Sequence, residues 1–173
     1  MNHRILILSA IVLAVVFSSC KKMFEDEELS MKRTDYTGTE LRTDGYYFYK
    51  NADNFHPLFI FNNGVFIHGY TYEISNIGQV EESFKNGTFY ETVKNDKTRW
   101  GVFDVTGKAI ELEGWASNGA IKHTSSIEYG EIIDDTTFCI YKEHIYGNDE
   151  KRNSLYHFKQ FAPKPDSTNS FIK

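Results

Sequence analysis

The sequence predicts a mainly β protein, in which about eight antiparallel strands form a meander with one or two short helices inserted around residues 76–95. The chain has 11 tyrosines and 14 phenylalanines, many of them in the short alternating runs that are typical of strands. Turn-forming pairs of residues separate these runs. A meander of this size leaves two unpaired edges, and closure into a barrel removes them. A sandwich, or an open sheet covered by a helix, is the alternative.

The first strands follow from two stretches of sequence. "GYYFYK" (residues 45–50) predicts the first strand, and "PLFIFNNGVFIHGYTYE" (residues 57–73) predicts a hairpin. The hairpin turns at Asn63-Gly64, because this pair tolerates the positive φ of a tight turn.

The spacing of apolar residues changes between residues 75 and 96. Ile77, Val80 and Phe84 are three and four residues apart, which indicates one face of a helix. Asn86-Gly87 can end this helix. Further apolar residues at the same spacing predict a second short helix before the next strand.

The second half of the chain returns to strands. Residues 100–116 predict a hairpin that turns at Thr106-Gly107, and residues 121–143 predict another that turns at Asp134-Asp135. Residues 154–161 predict the last strand.

The amino-terminal 19 residues have the features of an export signal. Arg4 precedes an apolar run that is too short to span a bilayer comfortably. Ser18-Ser19-Cys20 resembles the lipobox of bacterial lipoproteins, which implies cleavage before Cys20 and a lipid on its sulfur. An ordinary signal peptide or an uncleaved anchor is the alternative.

These patterns divide the chain into four parts. We expect a lipoprotein signal peptide (1–19), the lipidated Cys20 with a flexible acidic tether (20–40), a β-barrel-like domain (41–162) and a polar tail (163–173). The acidic cluster after Cys20 resembles the surface-export signal of Bacteroidetes lipoproteins. The expected location is therefore the outer membrane, on its periplasmic face or at the cell surface.

Charge and residue spacing argue against several functions. Of 19 basic and 24 acidic residues, removal of residues 1–19 takes away only Arg4, which leaves a formal charge of −6 and disfavours a nucleic-acid partner. The histidines have no zinc-binding spacing, and no cofactor fingerprint is present, so neither a metal nor a cofactor is expected. Cys139 lies among strand residues, where a small buried thiol is expected.

Residues 41–168 resemble a family of small uncharacterised Bacteroidetes lipoproteins with a lipocalin-like β architecture. The similarity lies in "LRTDGYYFY", "NNGVF", "WGVFDVTGKAIELE", "GEIIDDTTF" and "YHFKQFAPKPDSTN". The resemblance implies a lipocalin-like barrel on a lipid anchor, and it brings no activity with it.

Together these features predict a non-enzymatic envelope protein that binds a small apolar ligand or a glycan inside a barrel. Alternate residues would then line the cavity, and we expect these to be Phe48, Ile60, Ile67, Val102 and Ile110.

Two other functions remain open. A structural or adhesive protein would bind an envelope protein partner and have a filled core. A hydrolase would use Glu111 and Glu113, because alternate residues on a strand share a face and paired carboxylates can cleave glycosidic bonds.

Two short motifs resemble the O-glycosylation motif of exported Bacteroidetes proteins. They are Asp135-Thr136-Thr137 and Asp166-Ser167-Thr168, which would be modified at Thr136 and Ser167. Ordinary turns are the alternative.

Overall fold

A closed antiparallel barrel dominates the computed structural model of the chain, which describes residues 25–117, 119 and 122–173. The strands are β1 (Gly45–Asn51), β2 (Asn54–Ile60), β3 (Val65–His68), β4 (Tyr72–Glu73), β5 (Trp100–Thr106), β6 (Ala109–Ser117), β7 (His123–Asp134), β8 (Thr137–Ile145) and β9 (Asn148–Gln160). All except β4 form the barrel in chain order, and β9 pairs with β1 to close it. The short β4 pairs only with β2. The predicted mainly β, lipocalin-like barrel is confirmed.

The hairpin turns lie where the sequence places them. Gly64 and Gly107 adopt φ angles of 77° and 60°, which glycine reaches without strain. The turn at Asp135 joins β7 to β8. Two further reversals, at Ala52 and at Tyr146-Gly147, were not singled out from the sequence.

Two short helices connect β4 to β5, as predicted. They are α1 (Ile77–Lys85) and α2 (Thr88–Val93), and Gly87 separates them with a φ of 82°. The buried residues of both helices pack against the outward-facing side chains of the neighbouring barrel strands.

The protein therefore has two hydrophobic cores on opposite sides of the sheet. The interior core fills one end of the barrel, and its buried residues are Leu41, Tyr47, Leu58, Ile60, Phe66, Phe103, Ile110, Leu112, Ile132, Phe138, Ile140 and Tyr156. The outer core lies between the barrel wall and the helices, and its buried residues are Tyr46, Phe55, Phe59, Phe61, Val65, Ile67, Val80, Phe84, Phe89, Val93, Trp100 and Phe161.

Residues 26–42, here called the N-terminal segment, pack against the barrel. The structure differs here from the flexible tether that was predicted up to residue 40. The backbone N–H groups of Ser30 and Met31 donate to the Glu113 carboxylate at 2.9 and 2.6 Å. Leu41 is buried in the interior core, and the Arg42 N–H donates to the Asp135 carbonyl at 3.0 Å. The segment thus runs from the β6–β7 side of the barrel to the β7–β8 turn.

The C-terminal residues are also packed, although the sequence predicts a polar tail after residue 162. The Lys164 ammonium donates to the carbonyl oxygens of Thr43 and Ile60, each at 2.7 Å. Burial lowers the pKa of Lys164 to about 8. Phe171 packs against the outer core, so the chain end helps to cover the barrel wall.

Gly101 provides a test of how tightly β3, β5 and β6 pack. A Cβ atom at this position would lie 2.2 Å from Cζ of Phe66 and 2.3 Å from the backbone oxygen of Glu113. We expect Gly101→Ala to lower the free energy of unfolding by about 1–3 kcal/mol, because the sheet has to spread.

Gly78 in α1 has no atom within 4 Å of its Cβ position. Gly78→Ala should therefore stabilise the protein by about 0.5 kcal/mol. Urea unfolding of both variants checks the pair, and equal effects would contradict it.

Candidate functional site

A cavity of about 440 Å³ occupies the end of the barrel that the interior core leaves unfilled. We call this end the mouth; it is formed where β1, β3, β6 and β8 end and where β2, β5, β7 and β9 begin. Phe66, Leu112, Ile140 and Tyr156 belong to both the interior core and the cavity wall, so they form an apolar floor. Polar and charged side chains line the wall above this floor.

Glu143 and Arg152 form an ion pair in the cavity wall. They project from β8 and β9, and the Arg152 Nε–H donates to Glu143 Oε2 at 2.8 Å. Arg152 also lies 3.0 Å from Glu150. The charge of Glu143 is therefore matched within the protein.

Tyr49 and His56 form an aromatic stack in the wall. Their rings are parallel within 2°, with centroids 4.3 Å apart, and the Thr71 hydroxyl lies 3.1 Å from His56 Nδ1. Burial, and to a lesser extent the neighbouring His68, lowers the pKa of His56. The imidazole is therefore neutral near pH 7.

Glu128 is the carboxylate of the cavity that has no hydrogen bond to the described residues. It projects inward from β7, and its Oε2 atom is buried without a hydrogen-bond partner in that part of the chain. Nε2 of His68 lies 3.6 Å from this oxygen, which is beyond hydrogen-bond distance. Glu128 thus presents acceptor capacity that the fold does not use.

None of the five residues predicted to line the cavity does so. Ile60 and Ile110 lie in the interior core, at the filled end of the barrel. Phe48 and Ile67 belong to the outer core. Val102 is buried on the outward face, paired with the outward-facing Val65. Both faces of β1, β2, β3 and β5 are apolar because helices cover the outside, so the alternation of the sequence does not distinguish inside from outside.

The sequence did contain a signal for the charged wall residues. Polar residues alternate at Ser126 and Glu128 on β7, and at Arg152 and Ser154 on β9, and all four line the cavity. Their neighbours on the outer face are a mixture of apolar residues, such as Ile127 and Leu155, and polar residues, such as Lys151 and Asn153, so the sequence does not show which face points inward.

Glu111 and Glu113 do not meet in the cavity. Glu111 is exposed on the outer face of β6. Glu113 is fully buried beneath the N-terminal segment, where its carboxylate accepts hydrogen bonds from Ser30 and Met31. The Glu113 carboxylate is therefore not accessible to a substrate, as the hydrolase alternative requires.

Two of the three proposed modification sites, Thr136 and Ser167, lie within the described residues, and the hydroxyl group of each forms a hydrogen bond. Thr136 is half-buried in the β7–β8 turn, where its hydroxyl donates to Asp134 at 2.7 Å. The Ser167 hydroxyl accepts a hydrogen bond from Asn63 at 3.0 Å. Cys20 and the predicted signal peptide lie outside the described residues.

The described residues contain neither a long apolar helix that could cross a membrane nor a group of three histidine, cysteine or acidic side chains placed to hold a metal. Cys139 is a half-buried free thiol on β8.

Comparisons of the chain with protein-family models, with curated proteins and with solved structures gave no match. The fold and the geometry of the cavity are therefore the basis for a functional proposal.

The buried Tyr156 makes the stability of the barrel decrease at alkaline pH. Burial, reinforced by the charge of Glu128, raises the pKa of Tyr156 well above its usual value of 10.0. The folded protein thus holds the proton after the unfolded chain has lost it. The contribution of protonated Tyr156 to the free energy of unfolding is fully present below pH 10. Above pH 10 it declines by about 1.4 kcal/mol per pH unit. Urea unfolding between pH 8 and 11.5 should show a shallower decline for Tyr156→Phe than for the native protein. Parallel curves would contradict this assignment.

Proposed function

We propose that this protein is a non-enzymatic, lipid-anchored protein of the bacterial outer membrane that binds a small amphipathic molecule in its barrel. The main support is the cavity, with an apolar floor and a polar mouth. Its volume lies within the range of about 300–1,000 Å³ that is usual for small-molecule sites. A filled core, which the adhesive alternative requires, is less compatible with this interior.

The position of the N-terminal segment supports placing the cavity near the membrane. Asp26 accepts a hydrogen bond from the His123 N–H at 2.7 Å and pairs with Lys97 at 2.7 Å. Both contacts lower the pKa of Asp26, and the hydrogen bond from His123 has the larger effect. His123 begins β7 beside the mouth.

Cys20 precedes Asp26 by only six residues, which span roughly 20 Å when fully extended. A lipid on Cys20 would therefore hold the mouth within about that distance of the bilayer surface. A ligand that partitions into the membrane interface would have a short path to the cavity.

Native mass spectrometry of residues 21–173, purified from the original bacterium, tests ligand binding. These residues include the whole closed barrel and both cores. We expect an added mass that disappears on denaturation. A clean apo mass in protein from the native host would contradict the proposal.

A matched pair of variants locates the binding site. Ser154 lines the cavity, whereas Leu155 is the next residue on β9 and is exposed on the outer face. We expect Ser154→Phe to abolish the added mass, because the new ring occupies the cavity, and Leu155→Phe to retain it. Retention of the mass in Ser154→Phe would place the ligand elsewhere.

A further inference from the structure

Most charged side chains around the cavity have a partner of opposite charge. Arg152 pairs with Glu143 and Glu150. Arg99, at the opposite side of the mouth, pairs with Asp96 and donates to the Gly69 carbonyl at 3.3 Å. Among the described residues, the carboxylate of Glu128 has neither an arginine nor a lysine within ion-pair distance. Its nearest basic group is His68, whose Nε2 lies 3.6 Å from Oε2 and forms an ion pair with it only when the imidazole is protonated.

An unpartnered carboxylate oxygen in a protein wall is unfavourable. A buried acceptor that lacks a donor destabilises the protein, and more strongly when it is charged. Glu128 Oε2 is in this condition with respect to the described residues. A ligand that supplies a donor would remove the penalty, so the geometry selects for a hydrogen-bond donor at this point.

Aromatic rings stand beside the carboxylate. Tyr49 meets Tyr156 edge to face, with ring centroids 5.1 Å apart, and stacks on His56. Both tyrosines line the same cavity as Glu128. Burial and then the charge of Glu128 raise the pKa values of both tyrosines. Organic cations interact favourably with carboxylates and with aromatic rings.

The apolar floor lies below these groups and suits a hydrocarbon body. Phe66, Leu112 and Ile140 supply its surface. A cationic head at the wall and an apolar body on the floor would therefore use both halves of the cavity.

We propose, on the basis of the ligand-binding role argued above, that the cavity takes a protonated amine with an apolar body and that the ammonium group binds Glu128. A carboxylate ligand would be repelled by the negative charge of Glu128. A neutral alcohol could donate to it, but the bond would be weaker than one from an ammonium group.

Three probes of the same shape test this inference by isothermal titration on residues 21–173 at pH 7. They are 2-phenylethylamine, 2-phenylethanol and phenylacetate. We expect the amine to bind at least tenfold more tightly than the alcohol, and the acid to bind least. Equal binding of amine and alcohol, or no binding of the amine, would overturn the inference without any variant.

Two variants assign the effect to Glu128. Glu128→Gln preserves the shape and removes the charge, so it should eliminate the preference for the amine and leave the affinity for the alcohol unchanged. Glu131 lies on the same strand and is exposed, and Glu131→Gln should bind all probes as the native protein does. Urea midpoints confirm that both variants are folded. A preference for the amine that survives in Glu128→Gln would overturn the inference.

The failure of this inference can be told apart from failure of the proposed function. If the alcohol or the acid binds at least as well as the amine and only Ser154→Phe abolishes that binding, the cavity is a ligand site and the amine inference alone is wrong. If the protein from its native host carries no added mass and no probe binds, both are wrong.

Discussion

Replacing Trp100 with alanine is expected to lower the free energy of unfolding by about 4 kcal/mol. Trp100 begins β5 and is fully buried in the outer core. Its indole Nε1–H donates to the Val93 carbonyl at the end of α2, at 2.8 Å. The substitution creates a large cavity and removes one of the two N–H groups that donate to this carbonyl, the other being that of Asp96 at 3.0 Å. The packing between helices and barrel therefore weakens at two points.

Urea unfolding monitored by circular dichroism measures this effect, and Trp100→Phe is the matched control. Phenylalanine retains an aromatic ring but lacks the N–H group, so we expect a loss of about 1–2 kcal/mol. If Trp100→Ala lowered the free energy of unfolding no more than Trp100→Phe does, the packing of the Trp100 ring would not stabilise the contact between the helices and the barrel.

The order of the elements could be predicted because its signals are local. Asn63-Gly64 and Asn86-Gly87 each place a glycine at positive φ, where the chain reverses or where a helix ends. Ile77, Val80 and Phe84 marked the helix by spacing alone. Such patterns depend on residues within a few positions of one another.

It could not be predicted which side chains of a strand point into the barrel, since this depends on what covers the outside of the sheet. Tyr46 lies in the outer core and Tyr47 in the interior core, and both are fully buried. A strand that is covered on both sides has no polar face to mark the outside. For this reason Phe48 and Ile67 were assigned to the cavity although they face the helices.

The charged cavity wall combines residues from several strands. Glu128, Glu143 and Arg152 come from the consecutive strands β7, β8 and β9, and they meet when these strands pair. The contact between Ser30 and Glu113 likewise joins two positions 83 residues apart. No pattern along either stretch indicates its partner, so the packing of the N-terminal segment is a property of the tertiary structure.

We expect Glu113→Ala to release the N-terminal segment from the barrel. The buried carboxylate accepts hydrogen bonds from the Ser30 N–H, the Ser30 hydroxyl and the Met31 N–H, at 2.9, 3.0 and 2.6 Å. Hydrogen bonds to a charged group contribute about 1.5–3 kcal/mol each. The total loss is smaller than their sum, because the released N–H groups regain water, and we expect about 3 kcal/mol.

Hydrogen exchange is the most direct measurement of this release. The amides of Ser30 and Met31 should lose at least 100-fold protection in Glu113→Ala, corresponding to about 3 kcal/mol. The adjacent outward-facing residue on β6 gives the control: Glu111 is exposed, and Glu111→Ala should change stability by less than about 0.5 kcal/mol. Glu113→Gln retains one acceptor oxygen and should lie between the two.

The outcome also bears on the proposed membrane anchoring of the barrel. Asp26 and Lys97 are partly exposed, and such ion pairs contribute little by themselves. Without Glu113, we expect the part of the segment between Glu27 and Leu41 to be released. Asp26 and Glu27 keep their own hydrogen bonds to His123 and Trp115, so the start of the segment stays on the barrel. Full protection at Ser30 and Met31 in Glu113→Ala would instead show that the contacts of Asp26, Glu27 and Leu41 suffice to hold the segment. Since Glu113 is the buried acceptor that both amides share, we expect the protection to be lost.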